Sequence, residues 1–125
     1  MSEVDPGNAD QAEEPEQLWV SRAGDGGVRV VTLAGEIDYH NRAAFAAALT
    51  VPPGPCPRLV LDMRRVSFMD STGLNALIAA HRALDAAGGR LSLVAPTGMI
   101  KRTMGIVGID AFIESHDTLD EALRE

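Results

Sequence analysis

The side chains best placed to do chemistry lie in the segment Val66-Ser67-Phe68-Met69-Asp70-Ser71-Thr72-Gly73-Leu74. There Ser71 and Thr72 stand between a run that reads as a buried strand and a stretch that reads as an amphipathic helix. In an α/β sheet, the turn from the C-terminal end of a strand into a helix is where sites usually lie. The first amides of a helix have no intrahelical partner, and the helix dipole adds partial positive charge, so the turn favours an anion such as a phosphate. Ser71 or Thr72 would present its hydroxyl there. The plainer reading is that Asp70 or Ser71 only caps the helix, a role both residue types favour.

Used as a nucleophile, Ser71 would need a base within hydrogen-bond reach and a third group to orient that base. The histidines are His40, His81 and His116. His40 lies close to Asp38 and could approach the motif, whereas His81 falls on or beside the apolar face of the long helix. Asp-Ser-Thr-Gly also lacks the Gly-x-Ser-x-Gly elbow of serine hydrolases. The chain contains no Gly-x-x-x-x-Gly-Lys-Ser/Thr loop, no Gly-x-Gly-x-x-Gly turn, and no His/Cys/Asp group at metal-ligand spacing. The expectation is a binding module, not an enzyme, with no metal and no cofactor of its own. Cys56, the single cysteine, sits among Pro52, Pro53, Pro55 and Pro57 and reads as a loop thiol without a chemical role.

The elements that must position Ser71 follow from periodicity. Leu18-Trp19-Val20 and Val28-Arg29-Val30-Val31-Thr32-Leu33 are β-rich runs separated by Gly24-Asp25-Gly26-Gly27, which predicts an antiparallel hairpin. Ala34-Gly35-Glu36-Ile37-Asp38 ends the second strand, and Asn41 is placed to cap a helix reaching about Leu49, with Phe45 and Leu49 on its buried face. Arg58-Leu59-Val60-Leu61-Asp62-Met63 reads as a strand covered on both faces. Leu74, Leu77, Ile78, His81 and Leu84 mark one face of a helix that Gly88-Gly89 stops.

Leu91-Ser92-Leu93-Val94-Ala95 is a further strand, followed by a short helix with Met99, Ile100, Thr103 and Met104 inward and ended by Gly105 or Gly108. Phe112-Ile113 reads as a last strand. Thr118 with Glu121 has capping-box spacing, opening a final helix with Leu119, Ala122 and Leu123 inward. The order ββαβαβαβα implies a mostly parallel sheet with an antiparallel edge.

The 125 residues suit one domain, with 46% apolar and 23% charged residues. No segment approaches the roughly 20 apolar residues of a membrane span, and the N-terminus does not resemble a signal peptide, so a cytoplasmic location and no membrane insertion are expected. Of the net charge of −7, six units lie in residues 1–16, where Glu3, Asp5, Asp10, Glu13, Glu14 and Glu16 meet no base. This segment reads as a disordered acidic tail ahead of a near-neutral domain spanning 17–125. With no basic stripe and few aromatics, direct nucleic-acid binding is not expected.

Phe68-Met69-Asp70-Ser71-Thr72-Gly73-Leu74, together with Leu33-Ala34-Gly35-Glu36-Ile37-Asp38, resembles the STAS domain of bacterial anti-sigma factor antagonists, over roughly residues 17–125. The resemblance implies a STAS-type α/β fold: a mixed, mostly parallel sheet with an N-terminal antiparallel hairpin at its edge and helices packed on it. It also implies a function. Such a protein binds an anti-sigma factor with serine kinase activity, releases a sigma factor, is inactivated by phosphorylation, and is restored by a separate serine phosphatase.

Carried onto this sequence, the acceptor is Ser71 and the acid before it is Asp70. Asp38 is expected on the same face, contributing to partner contact or hydroxyl orientation. Thr72 stands where a second serine is common and stays open as the acceptor. Asp38, Asp70, Ser71, Thr72 and Gly73 are the expected partner-binding residues, Gly73 by letting the partner's backbone approach. ATP and Mg²⁺ come with the kinase, and a monomer is expected. The same fold could instead serve as a scaffold in another signalling complex or as the cytoplasmic subunit of a lipid transporter, roles that differ by partner and not by motif.

Overall fold

The computed structural model describes residues 18–24 and 27–124. The acidic segment 1–16 lies outside the described residues, and with it the expectation of a disordered tail.

Among the described residues, five strands form one sheet in the order β1-β2-β3-β4-β5. β1 (Leu18–Ala23) and β2 (Val28–Ile37) form the expected antiparallel hairpin. β2, β3 (Arg58–Met69), β4 (Arg90–Val94) and β5 (Glu114–His116) then run parallel. The connecting helices are α1 (Arg42–Ala48), α2 (Ser71–Ala86) and α3 (Gly98–Val107), and α4 (Leu119–Arg124) follows β5. Right-handed crossovers between successive parallel neighbours put their helices on one face. The core reflects this. Phe45 and Ala48 of α1, Leu74, Leu77 and Leu84 of α2, and Ile100 and Met104 of α3 are buried with Leu33, Ile37, Leu61, Met63 and Leu93 of the sheet.

α4 crosses to the opposite face, where Ala122 is buried with Val60 and Val94. Arg58 fastens it there, donating from its guanidinium to Ala122 O at 2.6 Å. Asp62 on β3 is only 3% exposed. A buried carboxylate needs a partner, and Arg64 supplies a two-pronged one, with contacts of 2.9 and 2.6 Å.

β3 runs six residues beyond the predicted Arg58–Met63. Along the β2–β3 pair the register shifts between Thr32 and Ala34 and again between Gly35 and Glu36. β3 thereby gains two residues on β2, and Ile37 still lies opposite Met69. Gly35 sits at the second shift with φ 111°, a backbone region hostile to any residue with a Cβ.

Several local expectations are corrected. The last strand is Glu114–His116, not Phe112-Ile113; the latter follow a 3₁₀ turn at Ile109–Ala111, and Ile113 fills the core while Phe112 lies against the His81 ring, centroids 4.8 Å apart. Asn41 makes no side-chain cap to α1; Asp38 caps the preceding 3₁₀ turn Tyr39–Asn41 instead. Met99 and Leu123 face solvent rather than the core, 54% and 39% exposed. Of the two glycines expected to end α3, Gly108 does so. Thr118 accepts from the Glu121 amide as expected, but the Glu121 carboxylate returns to the Asp117 amide.

Candidate functional site

Ile37 and Met69 end adjacent parallel strands side by side, and each is followed by an aspartate that opens a helical turn. Asp38 Oδ1 accepts from the amides of His40 and Asn41 at 2.9 and 3.3 Å, while Asn41 Oδ1 accepts from the Asp38 amide at 3.0 Å. Asp70 Oδ1 accepts from the amides of Thr72 and Gly73 at 2.9 and 3.4 Å. The two turns are also joined directly. The Asp70 amide donates to Ile37 O at 3.1 Å, and the Tyr39 amide donates to Asp70 Oδ2 at 3.1 Å.

Asp70 is thus the N-cap of α2, which settles the choice between Asp70 and Ser71 for that role. The Thr72 hydroxyl donates to Asp70 Oδ1 at 2.5 Å. That bond, joined by the amides of Thr72, Gly73 and Tyr39, holds the Asp70 carboxyl below its ordinary pKa against the opposing effect of burial. Ser71, the first residue of α2, is exposed, and its hydroxyl makes no hydrogen bond among the described residues. The two candidate acceptors therefore differ: one hydroxyl is half-buried and engaged, the other exposed and unengaged. Hydroxyl partners two residues away leave no trace in residue type, so sequence alone left this open.

Asp38 lies on the same edge as Ser71, but no hydrogen bond links the two among the described residues. It orients the turn that carries Tyr39, not the Ser71 hydroxyl. Gly73 is buried, contrary to the expectation that it clears space for a partner. A Cβ there would lie 2.5 Å from Met69 Cγ and 2.9 Å from Ile37 Cγ2. The glycine lets α2 sit down on the paired strand ends. His40 is exposed and meets the Tyr39 ring edge-on at 6.3 Å; His81 lies against Phe112.

Sequence reasoning missed Tyr39 and Arg42. Tyr39 is 57% exposed, and the Arg42 guanidinium lies over its ring, 3.6 Å from the centroid. The same guanidinium donates to Tyr39 O at 2.6 Å. An aromatic and an arginine three positions apart, directly after a strand-ending aspartate, is the signal that could have found them.

The site and fold together define an α/β domain that presents a serine hydroxyl at a helix N-terminus, on the C-terminal edge of a mostly parallel sheet. The STAS domain model matches residues 20–122. RsfB of Mycobacterium tuberculosis, an anti-sigma-F factor antagonist, is 31% identical over 111 residues, covering 87% of this chain and 89% of the relative. An anti-sigma F factor antagonist of Paenibacillus polymyxa is 25% identical over 101 residues, covering 79% and 86%. The crystal structure of an anti-sigma factor antagonist from Mycobacterium paratuberculosis superposes with a TM-score of 0.74 at 30% identity, covering 90% of this chain and 97% of that one. The chain belongs to the STAS domain family, as the paired motifs at Asp38 and Asp70 imply.

Proposed function

We propose that this chain is an anti-sigma factor antagonist: it binds an anti-sigma factor that has serine kinase activity, releases the sigma factor, and is switched off by phosphorylation of Ser71. The observation that carries the switch is the exposed, unengaged Ser71 hydroxyl at the first position of a 16-residue helix. A kinase can reach it without breaking a bond of the domain. The product is compatible with the fold, because a phosphate is well accommodated at a helix N-terminus. ATP and Mg²⁺ arrive with the kinase, and a serine phosphatase restores the active form. The chain is a monomeric binding protein in this scheme and works in the cytoplasm.

Affinity capture by the purified chain, with ADP or ATP present, followed by mass spectrometry of partners and phosphosites, tests this. The expected result is an anti-sigma factor retained with ADP and a phosphate on Ser71 after ATP. Retention of no anti-sigma factor under either condition would overturn the assignment.

A further inference from the structure

Both acids of the site are occupied by the protein's own donors: Asp38 by two amides, and Asp70 by three amides and the Thr72 hydroxyl. Asp70 has both carboxylate oxygens engaged, and Asp38 has Oδ1 engaged. Besides the Ser71 hydroxyl, the unspent donor capacity on this edge belongs to a cation. Arg42 is exposed; one terminal nitrogen holds Tyr39 O, and its remaining N–H groups have no partner among the described residues. It is also held in place, stacked on Tyr39, whose amide is fastened to Asp70.

We infer that the Tyr39–Arg42 stack is a second contact element of the partner-binding rim, and that it takes a carboxylate of the partner on the free edge of the Arg42 guanidinium. The inference rests on the proposed function and specifies the chemistry of its interface. A guanidinium offers a planar fork that matches a carboxylate with two parallel hydrogen bonds. Tyrosine and arginine are also the residue types in which binding energy concentrates at interfaces. Here they are preorganised, so little side-chain freedom is lost on docking. Regulation takes a specific form as a result. A phosphate of about −1.5 to −2 charge on Ser71 adds an anion to the same rim, where it repels the partner's carboxylate.

The test titrates the purified anti-sigma factor recovered by the capture experiment with wild type, Arg42→Ala, Arg42→Lys and Arg42→Glu, each at low and high salt. Thermal melts of the same samples record folding; Arg42 is exposed, so loss of its contacts with Tyr39 should lower the midpoint by no more than a few degrees. Arg42→Ala should weaken binding about tenfold or more and flatten its salt dependence, Arg42→Glu should weaken it further, and Arg42→Lys should fall nearer to Arg42→Ala than to wild type. Wild-type-like affinity in all three variants, or a loss that leaves the salt dependence unchanged, would overturn the inference while the anti-sigma assignment stands. Absence of binding by wild type itself would remove both.

Discussion

The Tyr39 amide donates to Asp70 Oδ2 at 3.1 Å, so the turn after β2 and the start of α2 are one bonded unit although 31 residues separate them. The helix start that carries Ser71, the proposed phosphate acceptor, is therefore held by contacts from both strand ends, and each of those contacts can be tested.

Ser71 and Thr72 should respond differently to removal of the hydroxyl. Ser71→Ala should abolish phosphate uptake, keep the thermal midpoint, and bind as a permanently active antagonist. Thr72→Val removes a bond to Asp70 and should cost about 1 kcal/mol of stability while Ser71 is still phosphorylated. Phosphosite mapping and melts of both variants decide it; uptake that survives Ser71→Ala and vanishes in Thr72→Val would move the switch to Thr72.

Gly73→Ala should destabilise the domain, not merely weaken binding. Forcing a methyl against Met69 and Ile37 costs about 1–3 kcal/mol, only partly offset by the 0.5–1 kcal/mol, roughly, that alanine gains over glycine within a helix. A thermal midpoint lowered by several degrees is expected. An unchanged midpoint would show that Met69 yields freely.

Acid should loosen the site in a defined direction. Folding lowers the Asp70 pKa, chiefly through the Thr72 hydroxyl, and lowers that of Asp62 through Arg64. Folded Asp70 and Asp62 thus bind protons less readily than in the unfolded chain. Their stabilisation is fully present above the unfolded value of about 3.9 and is lost as pH falls through the lower folded values. Denaturant titrations between neutral pH and about pH 3 should show wild type losing stability more steeply than Asp70→Asn, whose amide still caps the helix. Parallel curves for the two proteins would mean that the Asp70 charge contributes nothing.

A chain beginning at Gln17 should fold and melt within a few degrees of full length. Residues 1–16 hold six acids, no base and few large apolar side chains, too little to offset an ordering cost of about 1–2 kcal/mol per residue. A larger loss would show that this segment packs on the domain.

The order of elements and the covered face of α2 were legible because burial imposes periodicity: Leu74, Leu77 and Leu84 repeat at helical spacing and are all buried. The far half of β3 was not. Arg64 and Arg65 interrupt its apolar run, and two register shifts break the alternation a strand reading relies on. β5 was misplaced because an edge strand of Glu114, Ser115 and His116 carries little apolar signal, while the apolar Phe112-Ile113 beside it belongs to a turn. At the site, residue types were enough to place Asp70 and Ser71 at the start of α2. Which hydroxyl is engaged turns on a side-chain bond two residues away, and what Gly73 touches and where Tyr39 is fastened depend on the pairing of the β2 and β3 ends, which no local pattern encodes.

The two extra residues in β3 are absorbed one at a time. Each shift takes up its residue at once: Val66, lying between the two, is buried in the same core as Met63 before them and Met69 after them, so Ile37 and Met69 end in phase and Asp38 and Asp70 leave in step. Removing the extra residue at either shift would close that bulge and keep Met69 toward the core, while straightening the strand that carries Asp70 to the edge.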